Sequence, residues 1–313
     1  MLTSTPAVFD GLNAFPLTPL EHDTLDEAAF AGLVERLAAS DVDAITALGS
    51  TGSYAYLTIE ERARVARIAV EHAGAKPVVI GIGALRTSHV LANVEHAEAA
   101  GAAGLLLAPV SYQPLTEHDV LELFRAVADR TELPIAIYDN PGTTHFRFTV
   151  ELYARIAELP GVAAVKIPAV PTDPVEAASH VRRIRAALPP HVRIGVSGDA
   201  SAAAGLNAGC DAWFSVLAGT LPELALPIAR AARAGRGGDA LTASARLGPL
   251  WSLFAEFGSL RVTAAIAEHL GLAPRDCLPK PVQGLDAAAR TRVAEALASI
   301  RASAQETARG WEG

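Results

Sequence analysis

The chain has 313 residues, half of them apolar and 19% charged, with a formal net charge of -8. That length holds one large domain or two modest ones, and the acidic balance leaves no basic footprint for nucleic acid. Two cysteines, Cys210 and Cys277, are too few for a disulfide framework and fit a reducing, cytoplasmic setting.

In chain order, the opening M-L-T-S-T-P lacks the basic and apolar regions of a signal peptide, and no apolar run approaches the roughly 20 residues that span a bilayer. Eight short apolar runs then follow, at 11–16, 44–49, 77–83, 104–109, 134–138, 162–167, 192–197 and 212–217. Each is bounded by Gly, Pro or Asp, as expected for strands buried on both faces of a parallel sheet. Between them lie segments of helical spacing, including Thr58–Gly74, Thr87–Ala100, Thr116–Arg130, Thr149–Glu158 and Asp173–Leu188. The first opens on T-I-E-E, a capping box in which threonine and glutamate satisfy each other's backbone N–H groups.

Eight alternations predict an α/β fold, a (β/α)8 TIM barrel over 7–237, with a doubly wound open sheet as the alternative. Residues 238–313 contain no further strand run. They read as a C-terminal helical extension packed on the barrel, with helices over Asp239–Phe257, Ser259–Leu270 and Asp286–Ala304.

The sixth run, V-A-A-V-K-I-P, carries the chemistry. Of 26 basic residues only Lys76, Lys166 and Lys280 are lysine, and the other two sit beside prolines in surface loops. Lys166 lies near the C-terminal end of its strand, where barrels place reactive groups. A free lysine amine is neutral in about one molecule in 2,500 at pH 7, and burial raises that fraction. A neutral amine attacks a carbonyl to form a Schiff base, which the always-charged guanidinium of arginine cannot do.

Such chemistry also needs a proton shuttle and a seat for a carboxylate. Tyr138 ends the fifth run in I-Y-D-N-P-G-T-T and is the candidate shuttle. Ser50 and Thr51, in L-G-S-T-G-S, form a hydroxyl-rich loop suited to a carboxylate, and Gly198, in S-G-D, lets a substrate approach the backbone.

These motifs, with I-G-I-G-A (80–84), P-V-S-Y-Q-P (109–114), Y-D-N-P and V-K-I-P in register, resemble the dihydrodipicolinate synthase / N-acetylneuraminate lyase family of class I aldolases, from about Gly11 into the tail. The resemblance implies that Lys166 forms the imine with pyruvate or another 2-oxo acid and that Tyr138 relays protons. It implies that Ser50 joins the relay, with Ser50, Thr51, Gly198, Phe214 and Thr143 contacting substrate. It also implies a homotetramer, a dimer of dimers, that uses no metal or organic cofactor.

Four positions depart from the family's lysine-precursor synthase. Thr143 stands where an arginine binds the carboxylate of aspartate semialdehyde, a loss of about 1.5–3 kcal/mol for one charged hydrogen-bonded pair. Ser111, with Tyr112 one place later, stands at the second relay tyrosine, and Ser53 and Ile167 replace glutamates. Arg147 and His145 are further candidates at the entrance. The expectation is therefore a class I lyase, an aldolase or dehydratase, acting on a 2-oxo acid. The synthase reaction itself, or an idle barrel that binds a 2-oxo acid, are the alternatives.

Overall fold

The computed structural model describes residues 7–309, so the opening M-L-T-S-T-P and the last residues of the 238–313 extension lie outside it. Eight parallel strands close into a barrel: β1 (Gly11–Ala14), β2 (Ala44–Ala47), β3 (Val78–Gly81), β4 (Gly104–Leu107), β5 (Ile135–Tyr138), β6 (Val162–Ile167), β7 (Arg193–Val196) and β8 (Ala212–Ser215). Each strand pairs with its sequence neighbours, and β8 closes on β1 with Asn13 opposite Phe214. The barrel, rather than the open sheet, is the architecture.

Outward positions such as Ile45, Ile80, Leu105, Ile137, Val165 and Ile194 are large and pack beneath the surrounding helices. Inward positions are small: Ala44, Ala136, Ala164 and Ala212 join Val79, Leu106 and Phe214 in a separate interior cluster, with Phe9 beside them. Small inward residues leave the interior room for two long side chains at its upper end.

The helices begin where their sequences say they should. Thr58 and Glu61 form the expected capping box at Ile59–His72, and Thr116 with Asp119 forms another at Glu117–Ala128. Thr149 caps Val150–Ala157, and Asp173 caps Pro174–Ala187 with proline in its first turn. The predicted helix over Asp239–Phe257 is instead two, Gly237–Ala245 and Gly248–Phe257. Pro249 has no N–H to donate into a continuing helix, so a new helix starts there. A two-stranded ribbon, Leu20–Glu21 with Thr24–Leu25, and a short helix at Pro141–Thr144 are additions that no periodicity announced.

Past the barrel, helix Gly237–Ala245 packs on Pro222–Arg233, and Ala287–Arg309 lies across Gly248–Phe257 and Ser259–His269. Leu17 and Leu33 pack with Ala264, Ala267, Cys277 and Leu278, which fastens the extension to the first part of the chain. Among the described residues no helix is long and apolar enough to cross a membrane.

One irregularity positions the site. Ile135 pairs with Val162, but Ala136 pairs with Ala164, so Ala163 is an extra residue in β6. Beyond this bulge Tyr138 is opposite Lys166, and Lys166 is opposite Gly195. A one-residue slip turns every following side chain to the other face, so the bulge decides that Lys166 points into the barrel while Val165 and Ile167 point at the helices.

Gly195 has the reverse task. A Cβ there would sit 2.1 Å from Phe214 Cε2, so a side chain is excluded and the ring fills the space beside Lys166. Gly195→Ala is expected to destabilise the fold by about 1–3 kcal/mol, as overpacking of a core does, and urea unfolding measures it.

Candidate active site

Lys166 is 5% exposed, and its Nζ lies 4.0 Å from the ring centroid of Tyr138, 5.3 Å from that of Phe15 and 6.0 Å from that of Phe214. An amine walled by three aromatic rings is poorly solvated, so burial lowers its pKa. Tyr138, Asp199 and Asp139 oppose that shift without reversing it. A buried amine biased toward its neutral form, at the mouth end of a barrel, is what imine formation requires.

Three polar groups meet above it. Ser50 Oγ and Tyr138 Oη are 3.1 Å apart, and the Asn140 side-chain amide donates to Ser50 Oγ at 3.1 Å and to Tyr138 Oη at 2.8 Å. Asn140 spends both amide protons on this pair of hydroxyls. One hydroxyl proton then closes the Ser50–Tyr138 bond, which leaves the other free to point at a bound molecule. Asn140→Ala is expected to lower turnover by about tenfold, the worth of roughly one hydrogen bond. Asn140→Asp should do worse, because it replaces a donor by an acceptor. Steady-state rates of the two variants compare these outcomes.

Two carboxylates are buried beside the site. Asp199 accepts from Trp213 Nε1 at 2.8 Å and from the Leu217 backbone N–H at 3.0 Å, while burial raises its pKa. Asp139 accepts from the Tyr153 hydroxyl, and its pKa too is raised by burial, against Tyr153, Arg147 and Lys166. Asp139 Oδ1 has no hydrogen-bond partner. Both carboxylates supply negative potential to Lys166, Asp199 from within the cavity wall and Asp139 from outside its lining.

A cavity of about 790 Å³ opens over these groups. Of the sequence-predicted residues it brings together Lys166, Tyr138, Ser50, Thr51, Thr143, Gly198 and Phe214, with Ser53 also in its wall. Ser53 sits in left-handed backbone at φ 55°, and its Oγ is buried without a hydrogen-bond partner. Ser111, Tyr112, His145 and Arg147 are not among the lining residues. Tyr112 is 90% exposed, and His145 and Arg147 are exposed on the chain after the short helix that follows β5. Ile167 faces the helices and is fully buried, so this departure from the synthase pattern lies outside the cavity.

Several lining residues escaped sequence reasoning. Asn140 stood in Y-D-N-P, where an asparagine before proline reads as a turn former. Phe15 belonged to the first apolar run and is now one of three rings around the amine. Trp251, Phe254 and Leu260 come from the C-terminal extension, so the barrel alone does not complete the wall. Their helical spacing read as packing, and no local signal set them apart. Among the described residues no group of His, Cys, Asp or Glu has a metal-binding arrangement.

Comparison with known proteins agrees with this geometry. The sequence model of the dihydrodipicolinate synthetase family matches residues 8–300. The 4-hydroxy-tetrahydrodipicolinate synthase of Gluconacetobacter diazotrophicus is 31% identical over 294 residues, covering 93% of this chain and 96% of the relative. That of Phenylobacterium zucineum is 32% identical over 297 residues, with 94% and 97% covered. The crystal structure of a dihydrodipicolinate synthase from Agrobacterium tumefaciens superposes with a TM-score of 0.91 at 46% identity, covering 95% of this chain and 99% of that one. With a family match running from the first strand into the last helix, and a buried lysine on the sixth strand beneath a tyrosine and serine hydroxyl pair, the chain belongs to the dihydrodipicolinate synthetase family of class I, aldolase-type lyases.

Proposed function

We propose that Lys166 attacks the keto carbon of pyruvate, or of a 2-oxo acid that yields pyruvate, and that the protein makes or breaks a bond at C3 through the resulting imine. The observation that carries this is the placement of the Lys166 amine, buried and 4.0 Å from the Tyr138 ring centroid, with the Tyr138 hydroxyl held by Ser50 and Asn140. The neutral amine adds to the carbonyl, the oxygen leaves as water, and the protonated imine withdraws electrons from C3. Tyr138 takes and returns the protons this requires, with Ser50 as the next hydroxyl in the relay. Ser50 and Thr51 line the cavity together and seat the carboxylate, a reading supported by their adjacent hydroxyls beside Lys166.

Residues 7–237 carry the imine chemistry in this reading, and Trp251, Phe254 and Leu260 of the C-terminal extension complete the cavity from outside the barrel. Gly198 and Phe214 bound the space around the imine, and Thr143 stands at the acceptor end. The working form is a cytoplasmic homotetramer, and the exposed Tyr112 ring is available to a neighbouring copy.

The relatives' names favour a second reading, condensation of pyruvate with aspartate semialdehyde. Against it stands Thr143, a hydroxyl where that reaction would use an arginine. Assay of the purified protein with pyruvate and aspartate semialdehyde decides between the two. Turnover at the rate of an ordinary metabolic enzyme, about 1–1,000 per second, restores the synthase. Imine formation without that turnover supports a different lyase.

A further inference from the structure

The chemical character of the cavity wall changes sharply away from Lys166. Among the described lining residues Lys166 is the one cationic side chain and Asp199 the one carboxylate. Asp199 is already committed to Trp213 and to the Leu217 N–H. The Arg62 guanidinium stands 5.5 Å from the ring centroid of Tyr54, a lining residue, but is not itself in the wall. Its terminal nitrogens donate to the carbonyls of Gly81 and Gly83, each at 2.8 Å. A second carboxylate on a substrate would therefore meet no cation once Lys166 is engaged.

The rest of the wall is uncharged. The Ser197 and Ser201 hydroxyls donate to the Ile167 and Gly198 carbonyls, and Tyr54, Tyr56 and Ser259 add further hydroxyls. The bulkiest side chains away from Lys166 are largely apolar. Val110, Val170, Trp251, Phe254 and Leu260 line it, and Trp251 meets Phe254 at 5.7 Å between ring centroids. The Trp251 indole N–H is spent on the Ser244 carbonyl at 2.8 Å, so what this residue offers a ligand is its ring. Thr143 and Thr172 also line the cavity but are exposed, and the Thr143 hydroxyl donates to the Asn140 carbonyl at 3.4 Å. Against Trp251, Phe254 and Leu260 a polyol would exchange good hydration for rings and methyl groups, and a carboxylate-bearing aldehyde would lose hydration without gaining a cation. An apolar group gains by entering.

We propose that the second substrate is an aldehyde bearing an apolar group of aryl or branched-alkyl size, rather than a sugar or a carboxylate-bearing aldehyde. The proposal rests on the imine reading above and names what that imine reacts with. Loss of a C3 proton from the imine gives the enamine. Its C3 attacks the aldehyde carbon, the carbonyl oxygen takes up a proton, and the imine is regenerated. Water then releases a 4-hydroxy-2-oxo acid and frees the Lys166 amine. Cleavage of such an acid to pyruvate and the aldehyde is the same sequence reversed.

The test uses the full chain with pyruvate and, separately, benzaldehyde, glyceraldehyde and aspartate semialdehyde, following 4-hydroxy-2-oxo acid formation by chromatography. Borohydride trapping of pyruvate is run in parallel. The expected result is a trapped adduct on Lys166 and a kcat/KM for benzaldehyde about 100-fold or more above both polar aldehydes, the scale on which a hydrophobic pocket discriminates. Trp251→Ala should lower the benzaldehyde-to-glyceraldehyde ratio by at least about tenfold, and Leu260→Arg should move preference toward aspartate semialdehyde. A trapped adduct with a polar aldehyde preferred, or with benzaldehyde not turned over, overturns the substrate class and leaves the imine reading standing. Absence of an adduct removes the imine reading and the substrate class together.

Discussion

Lys166→Met is expected to abolish turnover, by about 10⁴–10⁶-fold, while leaving the protein folded and no less stable than the original. The activity loss follows from removing the nucleophile: no other lysine lies in the cavity wall, so the imine has no alternative site. The stability result follows from the surroundings. Lys166 lies between Val165 and Ile167 on a buried strand and faces the rings of Tyr138, Phe15 and Phe214. Methionine has nearly the same length, adopts the same rotamers and carries no charge to desolvate.

The pH dependence separates this from an ordinary core substitution. Burial holds the folded-state pKa of Lys166 below its usual 10.5. Between those two values the unfolded chain binds the extra proton, so stability rises with pH in that window and levels off above about 10.5. Lys166→Met removes that rise, and urea unfolding measured across neutral to alkaline pH detects it. Lys166→Arg should be worse on both counts, because a guanidinium cannot shed its proton and must be buried charged.

Tyr138→Phe is expected to lower turnover by about 10²–10⁴-fold, the ordinary worth of a positioned acid–base group, while pyruvate is still captured by Lys166. The phenyl ring preserves the wall on that side of the amine. What is lost is the hydroxyl that Asn140 and Ser50 hold at 2.8 Å and 3.1 Å. Single-turnover measurements separate the two steps: imine formation should fall less than the later step that needs proton transfer. Equal capture and equal turnover in the variant would mean that Tyr138 is wall and not relay.

Much of this was legible in the chain. Eight apolar runs announced eight strands because strands buried on both faces need no polar side. Thr58, Thr116, Thr149 and Asp173 announced helix starts because their side chains accept from the first free N–H groups. Lys166 was conspicuous because a lysine within an apolar strand has few uses other than chemistry.

What escaped depended on three-dimensional placement. The bulge at Ala163 cannot be read from V-A-A-V-K-I, since every residue there is apolar until the lysine, yet it decides which way Lys166 points. The break at Pro249 was hidden inside a good helical period. Trp251 and Phe254 lie over 80 residues from Lys166 in sequence, and only the folded extension brings them to its cavity. Among the weaker candidates, His145 and Arg147 were picked by nearness in sequence and Tyr112 by its place beside the family's second relay tyrosine, and none of the three lines this cavity.

The most direct test of the central claim is to incubate the protein with pyruvate, reduce with borohydride and locate the added mass by peptide mapping. A pyruvyl adduct on Lys166, absent without pyruvate and absent in Lys166→Met, is the predicted result. A protein that stays unmodified across pyruvate and longer 2-oxo acids, or that carries the adduct on Lys76 or Lys280 instead, would contradict it.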